Sequence, residues 1–212
     1  MRILPLSKRT TRKSAWTPSK EKAKAKAKAK PKAKAKPGPS LSVRDLQALL
    51  SGAIDDVAAL LDYEATIESE AELASTLDAW TRNPAWRKTG HRFEHLGIDG
   101  TGSQFAAWLR PDAKGEPPVV FFGSEGGLGV LARSPADWAR ILAHGPDLDP
   151  FADDVQAKPR TEPVEDEEAL ARVKEAVQKR VGDLGRLEDL VAGLESLNQE
   201  FKAWVEGVVP SN

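Results

Sequence analysis

The stretch from Pro117 to Gly145, PPVVFFGSEGGLGVLARSPADWARILAHG, constrains this chain more than any other. It is the most apolar run in the sequence, it has turn chemistry in its middle, and it ends in a well-marked helix. Val119, Val120, Phe121 and Phe122 have the β-branched and aromatic content of a buried strand. Gly123-Ser124-Glu125-Gly126-Gly127 then breaks the chain, and Gly129-Val130-Leu131-Ala132 predicts a returning strand. Ser134 stands as N-cap, Pro135 at the first helical position and Asp137 at the third, where a carboxylate meets the positive end of the helix. Trp138, Ile141 and Leu142 share one helical face, and Gly145-Pro146 stops the helix. The unit is strand, turn, strand, helix.

That order removes the first functional reading the stretch invites. Gly127-Leu128-Gly129-Val130-Leu131-Ala132 satisfies the relaxed dinucleotide pattern G-x-G-x-x-A after a hydrophobic strand. The pattern works only if a helix starts at the glycines, so that its N-terminus faces a pyrophosphate. Here Ser134-Pro135 would fall inside such a helix, where proline costs about 3 kcal/mol. No acidic strand end follows at the ribose-binding distance either. The match is expected to be accidental.

Upstream, Arg92–Ile98 and Gln104–Leu109 predict two further strands around the turn Asp99-Gly100-Thr101-Gly102-Ser103, with Phe105 and Trp108 on opposite faces. Val43, Leu46, Leu49 and Leu50 sit at helical spacing behind Ser40 or Ser42. Asp56–Tyr63 predicts another helical turn or two. Glu68–Trp80 predicts an amphipathic helix with Leu73, Leu77 and Trp80 inward, ended by Asn83-Pro84. Trp80 and Trp86 are expected as core plugs. Two successive hairpins flanked by helices argue for an α+β fold, an antiparallel β-meander with helices packed on one side.

Residues 147–163 are acidic and contain prolines, as a linker would. From Glu165 on, apolar residues from Leu170 to Trp204 recur at threes and fours. They predict one long helix over 164–207, or two joined near Gly182-Asp183-Leu184-Gly185. That stripe suits a dimerising face and a helical hairpin on the protein's own core equally well. Gly182, Gly185 and Gly193 argue against a regular coiled coil. The expected organisation is therefore an arm (1–39), an α+β domain (40–146), a linker (147–163) and a C-terminal helical extension (164–207).

Charge divides the same chain in two. Of its 31 Lys and Arg, 14 lie in residues 1–36 beside a single acidic residue, Glu21, for a local charge of +13. The remainder holds 17 basic and 31 acidic residues, a charge of −14. Every even position from Lys20 to Lys36 is lysine. The like charges at i, i+4, together with Pro31 and Pro37, oppose a helix, so a disordered arm is predicted. Lys22, Lys24, Lys26, Lys28, Lys30, Lys32, Lys34 and Lys36 suit sequence-independent contact with phosphates. A solubilising linker, or pairing with the acidic surface, accounts for them equally well. With no aromatic between Lys20 and Lys36 there is no base-stacking platform. The repeat resembles linker-histone tails.

The lack of cysteine excludes disulfides, thiolate metal sites and cysteine nucleophiles, and it suits a reducing compartment. No apolar run approaches the ~20 residues that span a membrane, and the opening is too short for a signal-peptide core. A cytoplasmic protein is expected.

Other chemistry fails on spacing. Ser124 lacks the glycine two positions earlier that a nucleophile elbow needs, since Phe122 stands there. Successive members of the series His91, His95, Asp99 lie about 13 Å apart on a regular strand, too far to share one ion. His144 sits at a helix C-terminus, which favours a cation in any case. Asp153-Asp154 and Glu165–Glu168 have the look of solvated surface. No catalytic constellation, metal set or cofactor follows.

Three segments in order resemble the SUKH superfamily: Leu96–Phe105 with its Gly/Asp-rich turn, Pro118–Gly126 with its proline-valine entry to a strand, and Ser134-Pro135-Ala136-Asp137-Trp138 opening a helix. The resemblance covers residues 92–145, and residues 41–90 only in helix content. It implies an α+β binding scaffold without enzymatic activity, similar to bacterial immunity proteins that bind and neutralise a polymorphic toxin, often a nuclease. A charge of −14 suits such a partner by mimicking nucleic acid. Asp99, Gly100, Gly102, Gly123, Glu125 and Gly126 are the candidates for shaping the partner-binding surface. A purely conformational role is expected more for the glycines than for Glu125. The rival expectation is a nucleic-acid-associated adaptor that uses residues 1–36.

Overall fold

The computed structural model describes residues 40–61, 70–81 and 84–208. The expected lysine contacts of the arm lie outside the described residues.

Ser42 caps the first helix, α1 (Val43–Gly52), by accepting a 3.1 Å hydrogen bond from the Asp45 amide. Val43, Leu46 and Leu50 turn inward. A short second helix, α2 (Ile54–Leu61), buries Val57 and Leu60. In α3 (Glu70–Thr81) Leu77 is buried, whereas the Leu73 and Trp80 side chains lie outside the described residues. A 3₁₀ turn, Pro84–Thr89, buries Trp86, whose indole donates a 2.9 Å hydrogen bond to Asp78.

Four strands follow: β1 (Arg92–Ile98), β2 (Gln104–Leu109), β3 (Val119–Phe122) and β4 (Leu128–Ala132). They form one sheet in the order β1-β2-β3-β4, with every pair antiparallel. The protein is α+β, and the meander is as the two hairpin signals imply. Helix α4 (Pro135–Leu142) starts where Ser134-Pro135 requires, with Ser134 accepting the Asp137 amide at 3.1 Å.

The placement of the helices corrects the expectation of one covered face. All four residues of β3 are buried, so both of its faces are shut from water. Phe105, Ala107, Val119, Phe121 and Leu131 join α1, α2, α4 and residues 169–190 in one core. Ala106, Trp108, Val120, Phe122 and Val130 join Leu77, Trp86, Phe201, Val205 and Val208 in a second. A sheet covered on one side only would have left Trp108 and Phe122 in water, at a cost of roughly 1.5–3 kcal/mol each.

Residues 164–207, expected as a helix or a hairpin, form three helices: α5 (Glu167–Val181), α6 (Leu187–Val191) and α7 (Glu195–Val208). Gly182 ends α5 with φ +72°, a conformation most side chains resist. Helix α5 packs on α2 and α4, which cover the first face of the sheet, and α7 packs directly on the second, so the apolar stripe is spent on the protein's own two cores. Two arginines pin the breaks between these helices. Arg140 donates to the carbonyls of Val181, the last residue of α5, and of Asp183 just beyond it (3.3 and 3.1 Å). Arg133 donates to those of Asp189, Leu190 and Ala192 at the end of α6 (2.9–3.0 Å). A guanidinium there satisfies carbonyls that have no partner inside a helix.

The segment 147–163, expected as an acidic linker, is instead packed against the sheet. Asp154 makes a parallel bridge to Leu128, Val155 donates to the Leu128 carbonyl at 3.0 Å, and Val155 and Ala157 are buried. This strap accounts for the glycines that imitate a dinucleotide loop. A Cβ on Gly129 would stand 1.9 Å from the Val155 carbonyl oxygen, and one on Gly127 would stand 2.5 Å from that of Ala152. Both glycines let a neighbouring backbone approach β4.

Candidate functional site

In a four-stranded meander the β1–β2 and β3–β4 turns lie at the same end, and here they are bonded to each other. Asp99 Oδ1 accepts the amides of Thr101 and Ser103, both at 2.9 Å, which fixes the first turn. The buried Ser103 hydroxyl in turn accepts the Ser124 amide of the second turn at 3.1 Å. The second turn closes through Gly123 N–H to Gly127 O at 2.7 Å and Gly126 N–H to Gly123 O at 3.0 Å.

The six expected surface residues are thus gathered at one end but play different parts. Asp99 spends its carboxylate on its own turn. Gly102 (φ +86°) and Gly126 (φ +94°) supply left-handed conformations. Gly123 is buried, and a Cβ there would approach Gly127 O to 2.9 Å. Gly100 and Glu125 are exposed, and Glu125 alone of the six presents a charged side chain to solvent.

The strap adds residues to this end that sequence reasoning missed. Asp149 accepts the Phe151 amide at 3.0 Å and bends the strap beside the second turn. The carbonyls on either side of Phe151, those of Pro150 and Ala152, both face Gly127. Phe151 itself is 64% exposed, the one large hydrophobic side chain left in water among the described residues. Its only signal in the sequence is an aromatic inside an otherwise acidic loop. Residues 147–157 contain four Asp and no Lys or Arg, and neither turn contributes a cation.

Asp154 ties the strap down. Its carboxylate accepts from Asn198, from Gln156 at 3.0 Å and from Lys202 at 3.2 Å. Burial raises the Asp154 pKa, but the hydrogen bonds from Asn198, Lys202 and Gln156 and the Lys202 charge outweigh it, and the carboxyl sits below its ordinary range. Asn198, buried on α7, also accepts the Val130 amide at 3.1 Å. One amide side chain thus joins β4, the strap and α7.

The three residues of the His91 series do not converge. A bulge between His95 and Gly97 breaks their parity. His95 is buried, with Nε2 2.7 Å from Gln104 Oε1. His91 lies at the far end of the sheet, stacked on Trp108 and Trp204 at 5.5 and 5.1 Å. Its Nδ1 accepts the Trp108 indole N–H at 2.8 Å, so that nitrogen is unprotonated. Burial lowers the His91 pKa, against a raising influence from Glu200. Among the described residues no group of three or more His, Asp and Glu is placed to hold a metal ion, and no helix is long and apolar enough to cross a membrane.

No family model matches the chain, and no curated protein or solved structure shows detectable similarity to it.

Proposed function

We propose that this chain is a cytoplasmic, non-enzymatic binding protein of the SUKH immunity type, which holds and neutralises a toxin protein with the turn end of its sheet. One observation supports this above the rest. Two mutually bonded turns and the part of the strap from 147 to 157 bring Glu125, Asp149 and Asp153 to one end, and those residues include no Lys or Arg. A fixed acidic surface steers a basic partner and orients it on contact, as a nuclease with a phosphate-binding cleft would require. The test is co-expression with a toxin domain encoded beside this chain. Growth is expected to be rescued, and the rescue to be lost in the Glu125→Lys, Asp153→Lys double variant. Undiminished growth arrest in the presence of the folded wild-type protein would sink the proposal.

A second reading rests on the lysine alternation of residues 20–36, which spaces cations along a segment free of acidic residues after Glu21. In it the arm holds nucleic acid through phosphates, and affinity falls steeply with salt. Mobility-shift titrations of the full chain and of a chain beginning at Ser40 test it. Binding at low salt only by the full chain is expected, and absence of binding by both removes the idea.

A further inference from the structure

We infer that Phe151 is the anchor of the acidic end, and that the partner it serves is a protein face carrying Lys or Arg around an apolar socket. This rests on the binding role proposed above and names the chemistry of the partner. The observation behind it is an apolar side chain displayed where nothing in the fold needs it. Phe151 is 64% exposed, whereas the other large hydrophobic side chains of the described residues are buried or half-buried. A lone exposed aromatic on a loose loop would mean little. This one stands on a backbone held at several points: the Asp149 side chain accepts its amide, and the Asp149 carbonyl accepts that of Ala152 at 3.3 Å. Just beyond, Val155 is hydrogen-bonded to β4 and Asp154 to α7. The ring is therefore presented with little backbone entropy left to lose on binding, the condition under which an aromatic makes an effective anchor.

Charge then selects the occupant. Asp149 and Asp153 flank Phe151 along the chain, Glu125 stands on the turn whose Gly127 meets the Pro150 and Ala152 carbonyls, and neither that turn nor residues 147–157 contain a Lys or Arg. A second copy of the chain docked through the same face would set carboxylates against carboxylates. Anionic lipid and nucleic acid are repelled for the same reason. A cationic protein surface is attracted, and its socket removes the phenyl ring from water.

The test uses the full chain and a displayed library of random peptides, selected at about 0.1 M salt and re-tested on Phe151→Ser and Phe151→Leu. Enriched peptides are expected to combine Lys or Arg with an apolar residue. They should lose affinity roughly tenfold to a hundredfold on Phe151→Ser, keep most of it on Phe151→Leu, and weaken as salt rises. Unchanged thermal melting of Phe151→Ser confirms that only the surface was altered. The inference is overturned if no enriched peptide depends on Phe151, if the dependent ones are acidic, or if sedimentation shows dimers that Phe151→Ser abolishes. Its failure is separable from that of the immunity role. Toxin neutralised equally by wild type and Phe151→Ser removes the anchor alone, and Phe151-dependent cationic peptides without any toxin neutralised remove the immunity role alone.

Discussion

The two ends of the sheet treat polar and aromatic groups in opposite ways. At the His91 end, rings are stacked on rings and charges are paired. Trp204 and Trp108 enclose the imidazole, Arg110 lies 5.3 Å over the Trp108 ring, and Glu200 of α7 pairs with Arg110 at 2.9 Å. At the turn end, Glu125, Asp149 and Asp153 are exposed beside an exposed phenylalanine and form no ion pair among the described residues. The first arrangement closes the second face of the sheet beneath α7. The second contributes little to the core and is available for recognition. Stability and binding are thus separated along the strand direction, and substitutions at the two ends should behave differently.

The largest effects are expected where α7 and the strap cover the sheet. Phe201 is wholly buried and lies 5.1 Å from Trp108 and 5.3 Å from Phe122, so Phe201→Ala should cost about 3–5 kcal/mol in chemical denaturation. A loss below 1 kcal/mol would mean that α7 is not part of the core. Gly129→Ala should follow, at about 1–3 kcal/mol, because its methyl group collides with the Val155 backbone, which has no rotamer to retreat into. Hydrogen exchange should then show faster exchange of the Val155 amide.

Acid sharpens the contrast further. The folded His91 pKa lies below its unfolded value of 6.5, so the unfolded chain takes up the proton first. The stability contributed here is fully present above pH 6.5 and is lost as pH falls from there through the folded pKa. Protonation also places a second donor against the Trp108 indole N–H. His91→Gln, which does not titrate, should flatten the stability curve in that window, and an unchanged slope would remove His91 as its source. The smallest effect is expected at the open end, where Glu125→Lys should change stability by less than about 0.5 kcal/mol while weakening binding of a cationic partner. A large drop in melting temperature there would break the distinction between the ends.

What could be read along the chain depended on the range of the cause. Ser134-Pro135 located α4 because capping is a matter of a few consecutive residues, and Ser42 did the same for α1. Asp99-Gly100-Thr101-Gly102-Ser103 marked its turn because the Asp99 side chain bonds amides only two and four residues ahead. Glu125 was identifiable as the tip of a hairpin for the same reason. Phe151 was not, since its prominence depends on Gly127 and Gly129 admitting a strap from more than twenty residues away. The second covered face was partly legible in Val119–Phe122, a strand without polar alternation, but nothing local to it named α7 as the cover.

The sequence by itself determined which residues are apolar, where helices and hairpins begin and end, and how charge divides between the arm and the rest. Only the tertiary structure decided what each apolar face meets. A stripe such as Val173, Val177, Val181 and Leu187 has the same periodicity whether it faces a second chain or the protein's own core. Periodicity records that a surface must leave water, and the identity of the surface that covers it depends on the path of the whole chain.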